Sequence, residues 1–386
     1  MACVSGTNIV NDGLVFHFDL ENGVKSFKGK PTTNLIANPT FTTGTYSPWS
    51  YQQTAYGNSV VDTTTTLDGY NSVKITRTQL TGETNLWTNL SSLHSLQPNT
   101  EYTFSVYALA NKPNEAAIFS YFGTSSEGFV YHTGSGEWER LTHTFTTRST
   151  EPYIQLRMWH DAVTLDSPVW FTKIQVEETN IASKWINGTR LDTASIVDVS
   201  PTKSTITAAN LTYRQDDTPT FDGTNDYLSI PQPNVQTSPN IWTIEGWIKT
   251  GNQTSFFITP NSNGIDNFLR YDAGQQQIVM TVCSAADTNG RGFPTGAGSV
   301  PHNTWTHFSA SIDNLDVKMH INGELKYSGT ETISMSGWTG IWRIGQRGNG
   351  TNYLLGELDN LKVYTKALTA TEIKQNFEAA RSRYGI

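Results

Sequence analysis

Cysteine is nearly missing from this chain of 386 residues, with Cys3 and Cys283 alone and far apart. That excludes a disulfide scaffold and a cysteine-based zinc site. Charge is scarce as well: 16% of residues are charged, the net charge is −8, and no cluster of Lys and Arg stands out. A phosphate backbone would be repelled, so nucleic acid is not an expected partner. No window approaches 18 apolar residues, so membrane insertion is not expected. The start, MACVSGTNIVNDG, lacks a basic stretch followed by an apolar one, so no signal peptide is read there. A chain of this kind fits assembly inside a cell and release by lysis, or export by a route without a signal. What the sequence does have is rings: 11 Trp, 16 Tyr and 17 Phe. A disordered chain would lack them, and they require a core or a ligand. With few charges, solubility rests on Thr, Ser, Asn, Gln and Gly. The length suits two or three domains.

Strand signals dominate: alternating runs rich in Thr, Val, Ile and aromatics, cut by Gly, Pro and Asn turns. In EYTFSVYALA (101–110), Tyr102, Phe104 and Val106 share one face, as a half-buried strand requires. Asn322-Gly323, between Val317/Met319/Ile321 and Leu325/Tyr327, predicts a type I′ hairpin. One helix is expected, at the C-terminus. Thr369 and Glu372 form a capping box, Ile373, Phe377 and Ala380 recur at helical spacing, and Gly385 follows the end. The fold class is therefore all-β, with two antiparallel β-sandwiches (jelly rolls) and one short C-terminal helix.

Residues 34–180 resemble the jelly-roll carbohydrate-binding modules attached to xylanases and glucanases. The residues carrying the resemblance are Asn34 to Phe41, Pro98 to Ala108, Trp138 with Thr144-Phe145-Thr146-Thr147, and Ile174 to Glu178, the last resembling phage versions of the module. Enzyme-linked relatives hold a structural calcium with acids on the last strand, where this chain has Thr172 and Lys173. Residues 181–386 resemble the laminin-G-like, concanavalin A-like sandwiches of phage structural proteins. Phe221 to Leu228, Trp242 to Trp247, Trp305 to Phe308, Ile344-Gly345, Gly356 to Asp359 and the tail to Ile386 carry that likeness. Phage relatives begin with a strand like Gly13 to Asp19, so the N-terminal arm, 1–33, is expected to supply the first strand of the C-terminal sandwich, with 34–180 inserted. A free arm is the alternative.

Hydrolysis of a glycoside needs two carboxylates across the bond. Glu357-Leu358-Asp359-Asn360-Leu361-Lys362 resembles the Glu-x-Asp-x-x-Glu strand of laminarinase-type enzymes, but Lys362 stands where the acid/base belongs. Glu357 and Asp359 are read as residues of a sheet edge. No G-x-S-x-G elbow or H-E-x-x-H pairing is present, so no enzyme is expected. Sugar recognition needs flat rings for the C–H face of a pyranose and polar groups for its hydroxyls. PYIQLRMWH alternates suitably, with Ile154, Leu156 and Met158 toward a core. Tyr153, Gln155, Arg157 and Trp159 then lie on the other face, and Trp87 and Tyr121 are placed to complete a cleft. Trp242, Trp247 and Trp305 are assigned to the core. Asp222, Asn225 and Asp226 are weak candidates for calcium in a loop that reads equally as a turn. No other cofactor is expected.

The function the resemblances imply is that of a non-enzymatic phage virion accessory protein, a head decoration, fibre or tail adhesin on the virion surface. Its expected partners are other virion proteins of capsid or tail, host-surface glycans and, through exposed sheet edges, further copies of itself as a homo-oligomer. The alternatives are a bacterial secreted or surface lectin, extracellular or on the cell surface, and a glycoside hydrolase of the concanavalin A-like class.

Overall fold

The computed structural model describes residues 8–20, 25–52, 55–80, 84–90, 96–123, 125–149, 154–161, 165, 167–214, 218–234, 236–237, 240–260, 268–284, 287–330, 340–348 and 350–386. The chain divides into two compact units, one of 1–30 with 191–386, the other Pro31–Arg190. The expected limits were 33/34 and 180/181. Thr32–Thr33 pairs with Thr189–Arg190, so both connecting segments belong to the middle unit.

The Pro31–Arg190 unit is a sandwich of two five-stranded antiparallel sheets. One runs Glu139–Thr146, Glu101–Leu109, Val169–Glu177, Tyr70–Arg77, Gly57–Leu67; the other runs Ser50–Gln52, Asn85–Asn89, Gln155–His160, Ala116–Tyr121, Ser126–Tyr131. Alternation dictates the core: Tyr102, Phe104 and Val106 from the first sheet meet Leu86, Ile118, Leu156 and Met158 from the second. Asn34 ties the start of the unit to its last strand, donating to the Ile174 and Ile186 carbonyls and accepting from the Ile36 and Val176 amides. That strand bulges between Thr172 and Gln175, with Lys173 at φ 50°. Where the resemblance expects calcium-binding acids, the Lys173 ammonium instead pairs with Asp68. It lies 5.3, 5.7 and 5.1 Å from the Tyr70, Tyr107 and Trp185 rings, a cation fixed by π faces.

In the other unit a nine-stranded sheet packs on a seven-stranded one. The larger includes Leu14–Phe18, which pairs with Leu355–Tyr364, the last strand of the chain. Trp242, Ile244, Phe308, Ile312, Val317 and Val363 fill the core against Leu228, Phe257, Ile258, Tyr271 and Met280. The hairpin at Asn322-Gly323 has φ 50° and 78°, both positive as a type I′ turn demands. The helix Ala370–Ala380 starts from the expected capping box and lays Phe377 and Ala380 on Trp247, while Ile373 packs with Tyr364 and Leu368. Trp247 is thus buried under the helix rather than between the sheets, and Trp305 is only partly buried beside it. A second helix, the single turn Asp192–Ser195, adds to the one expected.

Candidate functional site

The candidate face lies on the second sheet of the Pro31–Arg190 unit. Ile154, Leu156 and Met158 are buried in the core, so period two turns Gln155, Arg157 and Trp159 to the opposite side. Pairing then decides their neighbours. Arg157 lies directly between Trp87 and Phe119, Gln155 between Asn89 and Tyr121, and Trp159 between Asn85 and Ala117. Trp87, Tyr121, Gln155, Arg157 and Trp159 therefore share one surface; Tyr153 lies outside the described residues.

Arg157 is set by its surroundings. Its Nε and Nη2 donate to Gln155 Oε1 at 3.0 and 2.7 Å, and the guanidinium lies over the Tyr121 ring at 4.4 Å and the Phe119 ring at 5.8 Å. Arg157 and Gln155 are themselves buried, 9% and 4% exposed, and the guanidinium is fixed in place by Gln155 and the two rings. Tyr121 spends its own hydroxyl proton on the Gly123 carbonyl, so it offers a ring face.

Sequence reasoning missed Phe119, Phe129, Tyr131 and Asn85. Phe119 stacks on Phe129 with centroids 4.3 Å apart, and Trp159 meets Phe119 at 5.7 Å and Phe129 at 5.5 Å. Phe129 and Tyr131 are 39% and 37% exposed, large apolar rings left in solvent. The alternation in Gly128-Phe129-Val130-Tyr131 was the signal that could have found them. Asn85 is fully buried, yet neither its Oδ1 nor its Nδ2 has a hydrogen-bond partner, and the Trp159 indole N–H is likewise buried and unpaired. Unpaired buried polar atoms cost free energy that a water or a ligand hydroxyl would relieve.

The other candidates are committed elsewhere. Asp222 Oδ1 accepts from the Thr224 and Asn225 amides, and Asp226 Oδ2 accepts from the Thr212 and Asp222 amides, so these side chains brace a turn. Burial pushes the Asp226 carboxyl upward. Among the described residues, no three His, Cys, Asp or Glu side chains gather as a metal site would require.

Glu357 and Asp359 lie on an interior strand, but in the stretch 357–360 that has a ladder partner on one side only. Their strand runs between Asn240–Thr250 on one side and Pro219–Asp222 and Leu14–Phe18 on the other. Glu357 binds Arg214 Nη1 at 2.8 Å and Lys249 Nζ at 3.1 Å. Asp359 accepts from Arg383 Nη2 and the Tyr384 hydroxyl, and burial, with Asp19 nearby, lifts it to about 6. The cavity beside them holds about 10 Å3, room for a water at most.

Residues 33–162 match a family of carbohydrate binding domains. That stretch contains the whole aromatic face. Residues 222–374 match the concanavalin A-like lectin/glucanases superfamily, within the unit that carries the larger sandwich. No curated protein matches the chain. Among solved structures it is similar to the receptor-binding domain of botulinum neurotoxin type G, at 13% identity and TM-score 0.39 over 47% of this chain and 48% of that one. It is similar also to the receptor-binding domain of botulinum neurotoxin D, at 14% identity and TM-score 0.40 over 49% and 51%. The chain spans about half the length of these structures.

Proposed function

We propose that this protein is a non-enzymatic attachment protein whose Pro31–Arg190 unit holds glycans on its aromatic face. One observation carries the reading: the Arg157 guanidinium stands 4.4 Å from the Tyr121 ring and 5.8 Å from the Phe119 ring, beside the half-buried Trp87 and Trp159, on the sheet face turned away from the core. Rings of this kind take the C–H face of a pyranose, while the guanidinium and amides address its hydroxyls. The carbohydrate-binding-domain match over the same residues supports it. A purely binding role is supported by Glu357 and Asp359, which are tied to cations with no space for a sugar between them.

The setting we propose is the surface of a bacteriophage particle, with capsid or tail proteins and further copies of the chain as partners. Its support is the resemblance of the segments 13–19 and 174–178 to phage proteins. Cryo-electron microscopy of a particle carrying the chain tests that setting.

The binding reading is tested on a glycan array. The wild-type protein is expected to hold at least one glycan. Trp159→Ala and the exposed Phe129→Ala are each expected to weaken it at least tenfold, about 1.4 kcal/mol, without lowering the melting temperature of the Phe129 variant. A flat array for the wild type, or wild-type binding by either variant, overturns it.

A further inference from the structure

The unit formed by 8–30 and 191–386 contains an open groove of about 530 Å3, a volume typical of small-molecule sites. Leu14, Val199 and Pro201 give it an aliphatic wall, and His17, Lys25 and Lys203 line it with polar groups.

The groove is built in advance of any ligand. The Asp198 carboxylate accepts from the His17 amide at 3.0 Å, the Ser200 amide at 2.8 Å and the Ser204 amide at 2.8 Å. The Val199 amide donates back to the His17 carbonyl at 2.8 Å. Strand Leu14–Phe18 and the turn after Val197 therefore hold each other, and a ligand would meet a formed surface with little ordering left to do.

Two cations, Lys25 and Lys203, line the groove of a chain that is net negative at −8. Asp19 lines it too, but both its oxygens are taken by Arg383, at 2.8 and 2.7 Å. Burial, aided by the Lys362 charge, lowers His17 to about 4, so its ring is neutral near pH 7. Lys203 is different. Its side chain is exposed at the groove, with no ion-pair partner among the described residues. Its backbone sits at φ 56°, the left-handed region that Gly and Asn occupy at little cost and a lysine does not.

We propose that this groove binds a small organic carboxylate with an apolar flank, namely an acidic monosaccharide of the hexuronate type. The Lys203 ammonium pairs with the carboxylate, the aliphatic wall covers the C–H face of the ring, and the exposed Asn11, which also lines the groove, addresses hydroxyls. This site is independent of the aromatic face of the Pro31–Arg190 unit.

Calorimetric titration of the full chain with glucuronate, glucose and acetate tests it, with hydrogen exchange of peptides from 8–20 and 197–206 as the locator. Glucuronate is expected to bind saturably and to protect those peptides, with glucose and acetate each at least tenfold weaker. Lys203→Gly is expected to raise the melting temperature, because it relieves the backbone, and to weaken glucuronate at least tenfold; Lys203→Arg is expected to keep the affinity. The proposal fails if glucuronate gives no saturable binding or protects only peptides elsewhere. It fails equally if glucose or acetate matches it, or if Lys203→Gly leaves the affinity unchanged.

Discussion

Glu245 and Lys362 face each other across adjacent strands beneath the C-terminal helix, with both side chains fully buried and Nζ 3.4 Å from Oε1. Burial pushes the Glu245 carboxyl upward while the lysine charge pulls it back. His307 Nε2 lies 3.9 Å from Glu245 Oε2, but burial, a larger cause than the lysine charge, holds that imidazole far below its ordinary pKa, so it stays neutral when the lysine is removed. Lys362→Met therefore leaves a buried carboxylate with no counter-charge, and the expected loss is about 3–5 kcal/mol. For a unit of this size that is roughly 6–20 °C in melting temperature. The loss shrinks as pH falls, because protonating Glu245 removes the uncompensated charge. Restoring an apolar partner in the pair Glu245→Leu/Lys362→Met is expected to bring stability back to within about 1 kcal/mol of wild type. Thermal unfolding, followed by hydrogen exchange of peptides from Asn240–Thr250, measures all three proteins. Wild-type stability in Lys362→Met alone, or a double variant no better than the single, refutes the reasoning.

Two further outcomes are expected. Burial of His143 beside Ser120 lowers its pKa to about 4 from an ordinary 6.5, so the unfolded state takes up the proton first as the solution is acidified. The Pro31–Arg190 unit should then be fully favoured by this group above pH 6.5 and lose on the order of 3 kcal/mol as pH falls toward 4; a His143→Gln variant whose pH profile matches the wild type removes this account. Gly323→Ala places a Cβ 3.2 Å from the Phe377 ring at φ 78°, and should destabilise the Asp316–Thr330 hairpin by about 1–2 kcal/mol, read by urea unfolding.

Much of the architecture was legible because its signals are local. The 3.6 spacing of Ile373, Phe377 and Ala380 behind Thr369 and Glu372 specifies a capped amphipathic helix wherever it docks. Asn322-Gly323 sets a hairpin whose positive φ values few other pairs tolerate. Period two in Ile154-Gln155-Leu156-Arg157-Met158-Trp159 fixes which side chains share a face. The segment Ala116–Tyr121 was harder to read. Ala116, Ala117, Ile118 and Phe119 are apolar at successive positions, so alternation could not say that Ile118 enters the core and Phe119 joins the outer face.

The sequence by itself determined two all-β sandwiches, their turns, and the face on which Gln155, Arg157 and Trp159 stand, because backbone sterics and side-chain periodicity act within a few residues. Only the tertiary structure decided which strands adjoin. Strand order set Arg157 between Trp87 and Phe119, put the strand of Glu357 and Asp359 inside a sheet, and delivered Arg383 to Asp19 and Asp359. Such neighbours come from residues tens to hundreds of positions apart, and their pairing is chosen by the burial of whole sheets, which no local pattern encodes.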